Sequence, residues 1–238
     1  MRVFVAGKGG AGKTTIAAAL CAVLAERGIE VVAVDADGSP NLALSLGAGS
    51  PEDLPAVANS ILPRPGDACD TAPLTAETID ERFIVETGLG VDLVQAGRIE
   101  KPSERCLCCG SHATAREVIA ALKGGTRAVV ADLETGANDL LWARPAAGDV
   151  VVAVTEASKR SLELTRNLIK VARDLGVTEI VVVANKLRPD EIDTMRHAFP
   201  GHTVIELAYD PALDGALPDG RRPVDARKVA EALAPPSG

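Results

Sequence analysis

The sequence predicts an α/β fold of three layers, a mostly parallel central sheet with helices on both faces. Three observations predict it. Short apolar runs alternate with longer Ala- and Leu-rich segments almost from end to end. Hydrophobic residues make up 47% of the 238 residues but aromatics only 2%, so the core must be built from Val, Leu, Ile and Ala, as in a parallel sheet buried on both faces. Polar residues gather after the apolar runs, where the carboxyl ends of an open α/β sheet bind ligands. The alternation does not break, so residues 1–238 are expected to form one domain.

The first strand is Val3-Phe4-Val5-Ala6, and the helix from Ile16 to Arg27, stopped by Gly28, follows a glycine loop. That loop, Gly7-Lys8-Gly9-Gly10-Ala11-Gly12-Lys13-Thr14-Thr15, fits G-x-x-x-x-G-K-[ST], a phosphate-binding loop in its required strand–loop–helix setting. Its glycines let the backbone wrap a triphosphate, so the N–H groups from Gly9 through Gly10, Ala11, Gly12, Lys13, Thr14 and Thr15 can face the charge. The helix N-terminus adds unpaired donors and its positive dipole end. Lys13 is placed to reach the β- and γ-phosphates, and Thr14 to offer its hydroxyl to Mg²⁺.

Glu30 to Val34 is a second buried strand, running into Asp35-Ala36-Asp37-Gly38-Ser39-Pro40-Asn41-Leu42. In isolation that segment is an Asp/Gly/Pro turn; beside the phosphate loop it is a functional element. Gly47 to Pro73, with Pro51, Pro55, Pro63, Pro65 and Pro73, reads as loops and short helices over the sheet edge, and Cys69 within it as incidental. Arg82 to Glu86 is a short edge strand, and Val91 to Gln95 a better one, closed by Gly97. Cys106-Leu107-Cys108-Cys109-Gly110 is a sulfur-rich loop before a helix from about Ser111 to Lys123, with Ser111 as N-cap.

Arg127 to Ala131 is a buried strand ending in Asp132-Leu133-Glu134-Thr135-Gly136. An aspartate after an apolar strand is the Walker B pattern, so Asp132 is expected to hold Mg²⁺, directly or through water. Glu134 faces either that metal or solvent. Asp149 to Thr155 and Glu179 to Ala184 are further buried strands, joined by a helix over Ser158 to Leu175 with one apolar face. Asn185-Lys186 closes the second of them. Thr203 to Leu207 is the last strand, before Tyr209-Asp210-Pro211. Asp225 to Ala234 is a closing helix, and Pro235 to Gly238 should fray.

Composition excludes several roles. A net charge of −8 argues against broad binding to a nucleic-acid backbone. No apolar run is long enough to span a bilayer, and no signal sequence leads the chain, so a cytoplasmic protein without nucleic-acid or membrane partners is expected. In that compartment five cysteines serve as metal ligands, reactive thiols or core residues rather than as disulfides.

Lys8 stands early in the phosphate loop. Lys8-Gly9-Gly10-Ala11-Gly12-Lys13-Thr14-Thr15 resembles the deviant Walker A loop of the P-loop NTPases that include MinD, ParA and the nitrogenase iron protein. The resemblance implies a homodimeric, Mg²⁺-dependent ATPase in which Lys8 reaches the partner's nucleotide, acting as an arginine finger does. It further implies that Asp37 orients or activates the attacking water beside Lys13. By the same likeness Asp35 joins Thr14 and Asp132 near Mg²⁺, Asn185 hydrogen-bonds adenine, and the backbone at Pro211 contacts the base. A solvated loop lysine is the plain alternative for Lys8.

Cys106-x-Cys108 supplies two soft thiolates, too few for a closed metal site in one chain; a two-fold axis would supply four. The motif order (deviant loop, Asp-Ala-Asp, Gln-Ala-Gly-Arg, Cys-x-Cys, Asp-x-Glu-x-Gly) is similar to that of the CooC-type nickel-insertion ATPases of carbon monoxide dehydrogenase. It implies Ni²⁺ or Zn²⁺ on Cys106 and Cys108 at a dimer interface, and carbon monoxide dehydrogenase or another metalloenzyme as client. Two departures stand out: Cys109 adds a third thiol, and the residues after Gly136 differ from that branch. His112 is either a further ligand or an exposed histidine at a helix start, and Cys21 a small core residue. Two other readings stay open. One is a positioning switch of the MinD or ParA type, although the tail Arg227 to Leu233 has little apolar area to insert into a membrane. The other is an iron–sulfur carrier whose cluster bridges a dimer.

Overall fold

The computed structural model describes residues 1–57, 74–96, 107–123, 125–134, 136–211 and 226–233, with the backbone alone at 107–111 and 226. Cys69, Gly97, Cys106, Thr135 and the terminal Pro235 to Gly238 lie outside the described residues.

Eight strands form one sheet: β1 (Arg2–Gly7), β2 (Val31–Asp35), β3 (Val85–Glu86), β4 (Asp92–Gln95), β5 (Ala128–Asp132), β6 (Val150–Thr155), β7 (Glu179–Leu187) and β8 (Thr203–Ala208). Their order is β3-β4-β2-β5-β1-β6-β7-β8, and every neighbouring pair is parallel except the antiparallel edge pair β3–β4. Every residue of β2, β5 and β6 is buried, which is why they read as unbroken Val/Ala runs rather than alternating ones.

The pleat divides the apolar residues between two cores. Phe4, Ala6, Val32 and Val34 face helices α4 (Leu107–Ala121), α5 (Gly136–Ala143), α6 (Lys159–Asp174) and α7 (Ile192–Ala198). Val3, Val5, Val31 and Ala33 face α1 (Lys13–Glu26), α2 (Leu42–Ser45) and α8 (Ala226–Ala232). This is the expected three-layer α/β arrangement. Helix α1 is buried without a break from Ile16 to Leu24, between the sheet and its helical neighbours, and its many alanines allow that close approach. Gly28, with φ 78°, ends it as expected. Ser158 caps α6, accepting from the Ser161 N–H at 3.3 Å.

Four local expectations change. In the edge segment Arg82–Glu86 only Val85–Glu86 pairs as strand; Arg82 ends a helix, α3 (Ala76–Arg82), capped by Thr75. Helix α4 starts at Leu107 rather than at Ser111, so Cys108 and Cys109 lie in its first turn and not in a loop. Gly110 and Ser111 are poor helix formers, but Val118, Ile119 and Leu122 pack on the sheet and carry the helix through them. Helices α2, α5 and α7 are too short to leave a periodic signal. Strand β7 runs on to Leu187, through a register irregularity between Ala184 and Leu187 where Asn185 and Lys186 sit.

Candidate active site

The carboxyl ends of the five central strands, β2-β5-β1-β6-β7, deliver the candidate residues to one edge of the sheet. Strand β1 passes into the glycine loop through Gly7, where a side chain would strike the Val154 carbonyl of β6. Gly10 (φ 80°) and Gly12 (φ 96°) both take left-handed backbone, and a Cβ on Gly12 would also collide with Asn185. Gly12 is the N-cap of α1, without a side-chain cap and with no acidic residue in the first turn. The helix therefore presents its first N–H groups and dipole unopposed, a seat for anionic oxygens. Lys13 lies in that first turn and is buried.

On the other side of the loop, Asp35 and Asp132 sit in register on adjacent strands. Both are fully buried. Asp35 organises the segment that follows it: Oδ1 accepts from the Asp37 N–H at 3.3 Å and Oδ2 from the Leu42 N–H at 2.9 Å. Asp37 is half-buried, and its Oδ1 accepts from the Ser39 N–H at 2.8 Å. Burial pushes the Asp35 carboxyl up to about 6 and the Asp132 carboxyl up to about 7; in Asp132 the Thr14 hydroxyl opposes the shift, and the charge of Asp35 adds to it. Among the described residues, Asp132 Oδ1 is buried with no hydrogen-bond partner. An orphaned carboxylate oxygen beside a hydroxyl and a second carboxylate fits a hard divalent cation, which would restore both acids to their ionised form. Thr14, Asp35 and Asp132 are thus brought together, as the sequence predicts; Glu134 lies half-buried beyond β5.

Beyond β1 the edge turns basic. Lys8 Nζ is 3.3 Å from Glu156 Oε2, an ion pair within the chain. Lys186 Nζ lies 3.6 Å from the other oxygen of Glu156 and donates to the Gly10 carbonyl at 2.9 Å. Lys186 holds left-handed backbone at φ 59°, which costs a residue with a Cβ about 1–2 kcal/mol. Asn185 is buried and donates from Nδ2 to the Ala11 carbonyl at 2.8 Å, bracing the loop. Pro211 is exposed after β8, whose end is tied back by the Tyr209 N–H to the Leu187 carbonyl at 2.9 Å. Glu156 escaped sequence reasoning. Its place just after an apolar strand is the same signal that marks Asp35 and Asp132.

Cys106 lies outside the described residues, and only the backbone of Cys108 and Cys109 is described, one helical turn before His112. His112 is neither exposed nor at a helix start. It lies in the second turn of α4, stacked on Trp142 of α5 with ring centroids 5.9 Å apart, and its Nε2 is 2.9 Å from Asp139 Oδ1, off the direction a hydrogen bond requires. Cys21 is a buried core residue, as expected, and burial raises its thiol far above the ordinary range. Among the described residues no helix is long and apolar enough to cross a membrane.

Residues 3–213 match the model of the CobQ/CobB/MinD/ParA nucleotide-binding domain. The carbon monoxide dehydrogenase accessory protein CooC of Rhodospirillum rubrum is 31% identical over 198 residues, 79% of this chain and 74% of that protein. An uncharacterised ATP-binding protein of Methanocaldococcus jannaschii is 28% identical over 87% of this chain and 83% of its own. The septum site-determining protein MinD of Pyrococcus horikoshii, solved with Mg-ADP, shares the fold: TM-score 0.67 at 23% identity, covering 98% of this chain and 91% of that one.

Proposed function

The chain belongs to the CobQ/CobB/MinD/ParA nucleotide-binding family of P-loop ATPases, and on that premise we propose that it is a homodimeric, Mg²⁺-dependent ATPase that delivers nickel to carbon monoxide dehydrogenase or a related metalloenzyme. The ATPase part is carried by one observation: a buried, partnerless Asp132 oxygen beside Thr14 and Asp35, at the uncapped start of α1. Thr14, Asp35 and Asp132 would hold Mg²⁺, which supplies charge neutralisation at the phosphates when bound. Residues Gly9 to Thr15 cradle the triphosphate, and Lys13 pairs with its β- and γ-oxygens. Asp37 orients a water in line with the γ-phosphorus; the water's oxygen bonds to phosphorus as the bond to the departing ADP breaks, and a proton of that water passes to the Asp37 carboxylate or to the phosphate released. Lys8 of each subunit supplies positive charge to the other's γ-phosphate in that transition state. Asn185 and the backbone at Pro211 hold adenine.

The nickel part rests on Cys106-x-Cys108 and on the likeness to a protein named for carbon monoxide dehydrogenase. Two copies of the pair give four thiolates around one Ni²⁺ or Zn²⁺ on the dimer axis, with Cys109 offering a further thiol. The test is metal analysis of the purified protein with and without ATP. The wild type should hold one ion per dimer, and Cys106→Ala with Cys108→Ala should hold none while still binding ATP. One ion per dimer retained by that double variant would defeat the assignment. Iron with acid-labile sulfide would mark an iron–sulfur carrier instead.

A further inference from the structure

We propose that Glu156 is a positioning residue that parks Lys8 within its own chain until nucleotide binds, and that Lys186 takes over the charge of Glu156 when Lys8 leaves. The proposal rests on the reading that Lys8 acts on the partner's nucleotide.

Three neighbouring strands supply the three groups, each about one residue further along than the last. Gly7 pairs with Val154, and Thr155 with Ala184, so Lys8 and Glu156 follow the ends of β1 and β6 beside Lys186, which lies in the irregular last part of β7. Glu156 is fixed from behind: its N–H donates to Ser161 Oγ at 3.0 Å, and that hydroxyl also meets Thr155 Oγ1 at 3.0 Å. The carboxylate then faces two ammonium groups, Lys8 at 3.3 Å and Lys186 at 3.6 Å. Lys186 is immobilised as well, by the Gly10 carbonyl and by its place in the β7 irregularity.

The three groups differ in how freely they can move. The main chain of Glu156 is held by Ser161 and the Lys186 ammonium by the Gly10 carbonyl, whereas the described contact of the Lys8 ammonium is this one carboxylate. Lys8 and Glu156 side chains keep 29% and 25% of their surface exposed, so the pair is weak enough to exchange. A γ-phosphate bears more charge than a carboxylate already shared between two cations, and it would draw Lys8 away. Glu156 would then not be left bare, because Lys186 stays. Without Lys186 the departure of Lys8 would leave a half-buried carboxylate unpaired, and Lys8 would be held more tightly.

The experiment measures dimerisation of the full chain by sedimentation, titrating a non-hydrolysable ATP analogue with Mg²⁺. Glu156→Gln should lower the analogue concentration for half-maximal dimer about threefold, and Lys186→Met should raise it by a similar factor. Residues with only a structural part would shift it in one common direction. In a Lys8→Ala background both shifts should vanish. An unchanged or raised midpoint in Glu156→Gln, or a shift that survives in Lys8→Ala, overturns the proposal. If Glu156→Gln does not fold, Glu156→Asp, shorter by one methylene, should move the midpoint the same way. The underlying reading fails separately: Lys8→Ala alone would then leave dimerisation and turnover as in the wild type.

Discussion

Strand β1 divides the site into two flanks that handle charge in opposite ways. On the β5–β2 flank, Asp35 and Asp132 are buried, adjacent and short of positive partners, and one Asp132 oxygen has no hydrogen-bond partner among the described residues. On the β6–β7 flank, Glu156 stands between two lysines, and Lys186 is tied to the loop backbone as well. The first flank is in deficit of positive charge, the state in which a cation is proposed to bind. The second is already balanced, so a ligand can act on it only by exchanging one partner for another. On the proposed reading, binding and switching fall on the two sides of one strand.

Four tests would break or sharpen that contrast. The largest effect is expected from Asp37→Ala, which removes the group proposed to orient water: turnover should fall about 100-fold or more, with nucleotide affinity nearly unchanged, as measured by steady-state hydrolysis and equilibrium binding. Unchanged turnover would remove Asp37 from the mechanism. Next is Asp132→Asn. It deletes a buried charge, so at pH 8 the metal-free variant should melt about 2–6 °C above the wild type, while Mg²⁺-nucleotide should no longer raise its melting temperature.

The sign follows from linkage. The carboxyls of Asp35 and Asp132 are raised to about 6 and about 7, so between pH 4 and 7 the folded metal-free chain holds more protons than the unfolded one. The contribution of these two acids to stability therefore falls as pH rises through that window. Mg²⁺-nucleotide should raise the melting temperature of the wild type more at pH 8 than at pH 5, and an equal rise would show that the acids do not meet the metal. The smallest effect separates two glycines. Gly10→Ala meets open space and should cost only left-handed strain, about 1 kcal/mol, whereas Gly12→Ala also meets Asn185 and should cost about 1 kcal/mol more in denaturant unfolding. Equal losses would show that Asn185 does not brace the loop.

The acidic flank and the glycine loop are legible in the sequence because each lies where a buried strand turns polar, and β2 and β5 end in register at Asp35 and Asp132. The basic flank is not, although Glu156 and Lys186 obey the same rule. What links them is strand register and a backbone irregularity at Asn185–Lys186, neither of which leaves a mark in residue order. Lys8 shows the difference well: its motif implied a distant target, and the fold gives it a nearby one. The start of α4 is hidden in the sequence for a third reason. Gly110 and Ser111 signal a helix boundary locally, and packing farther along the same helix outweighs them.

The sole tryptophan of the chain, Trp142, is two-fifths exposed, lies against the His112 ring, and is carried by the helix that begins at Gly136 directly after the Asp132 segment. Any rearrangement of that helix during turnover changes what the indole touches. The protein therefore contains its own optical reporter, and its ultraviolet emission can be followed in a stopped-flow cell without a dye or an engineered label.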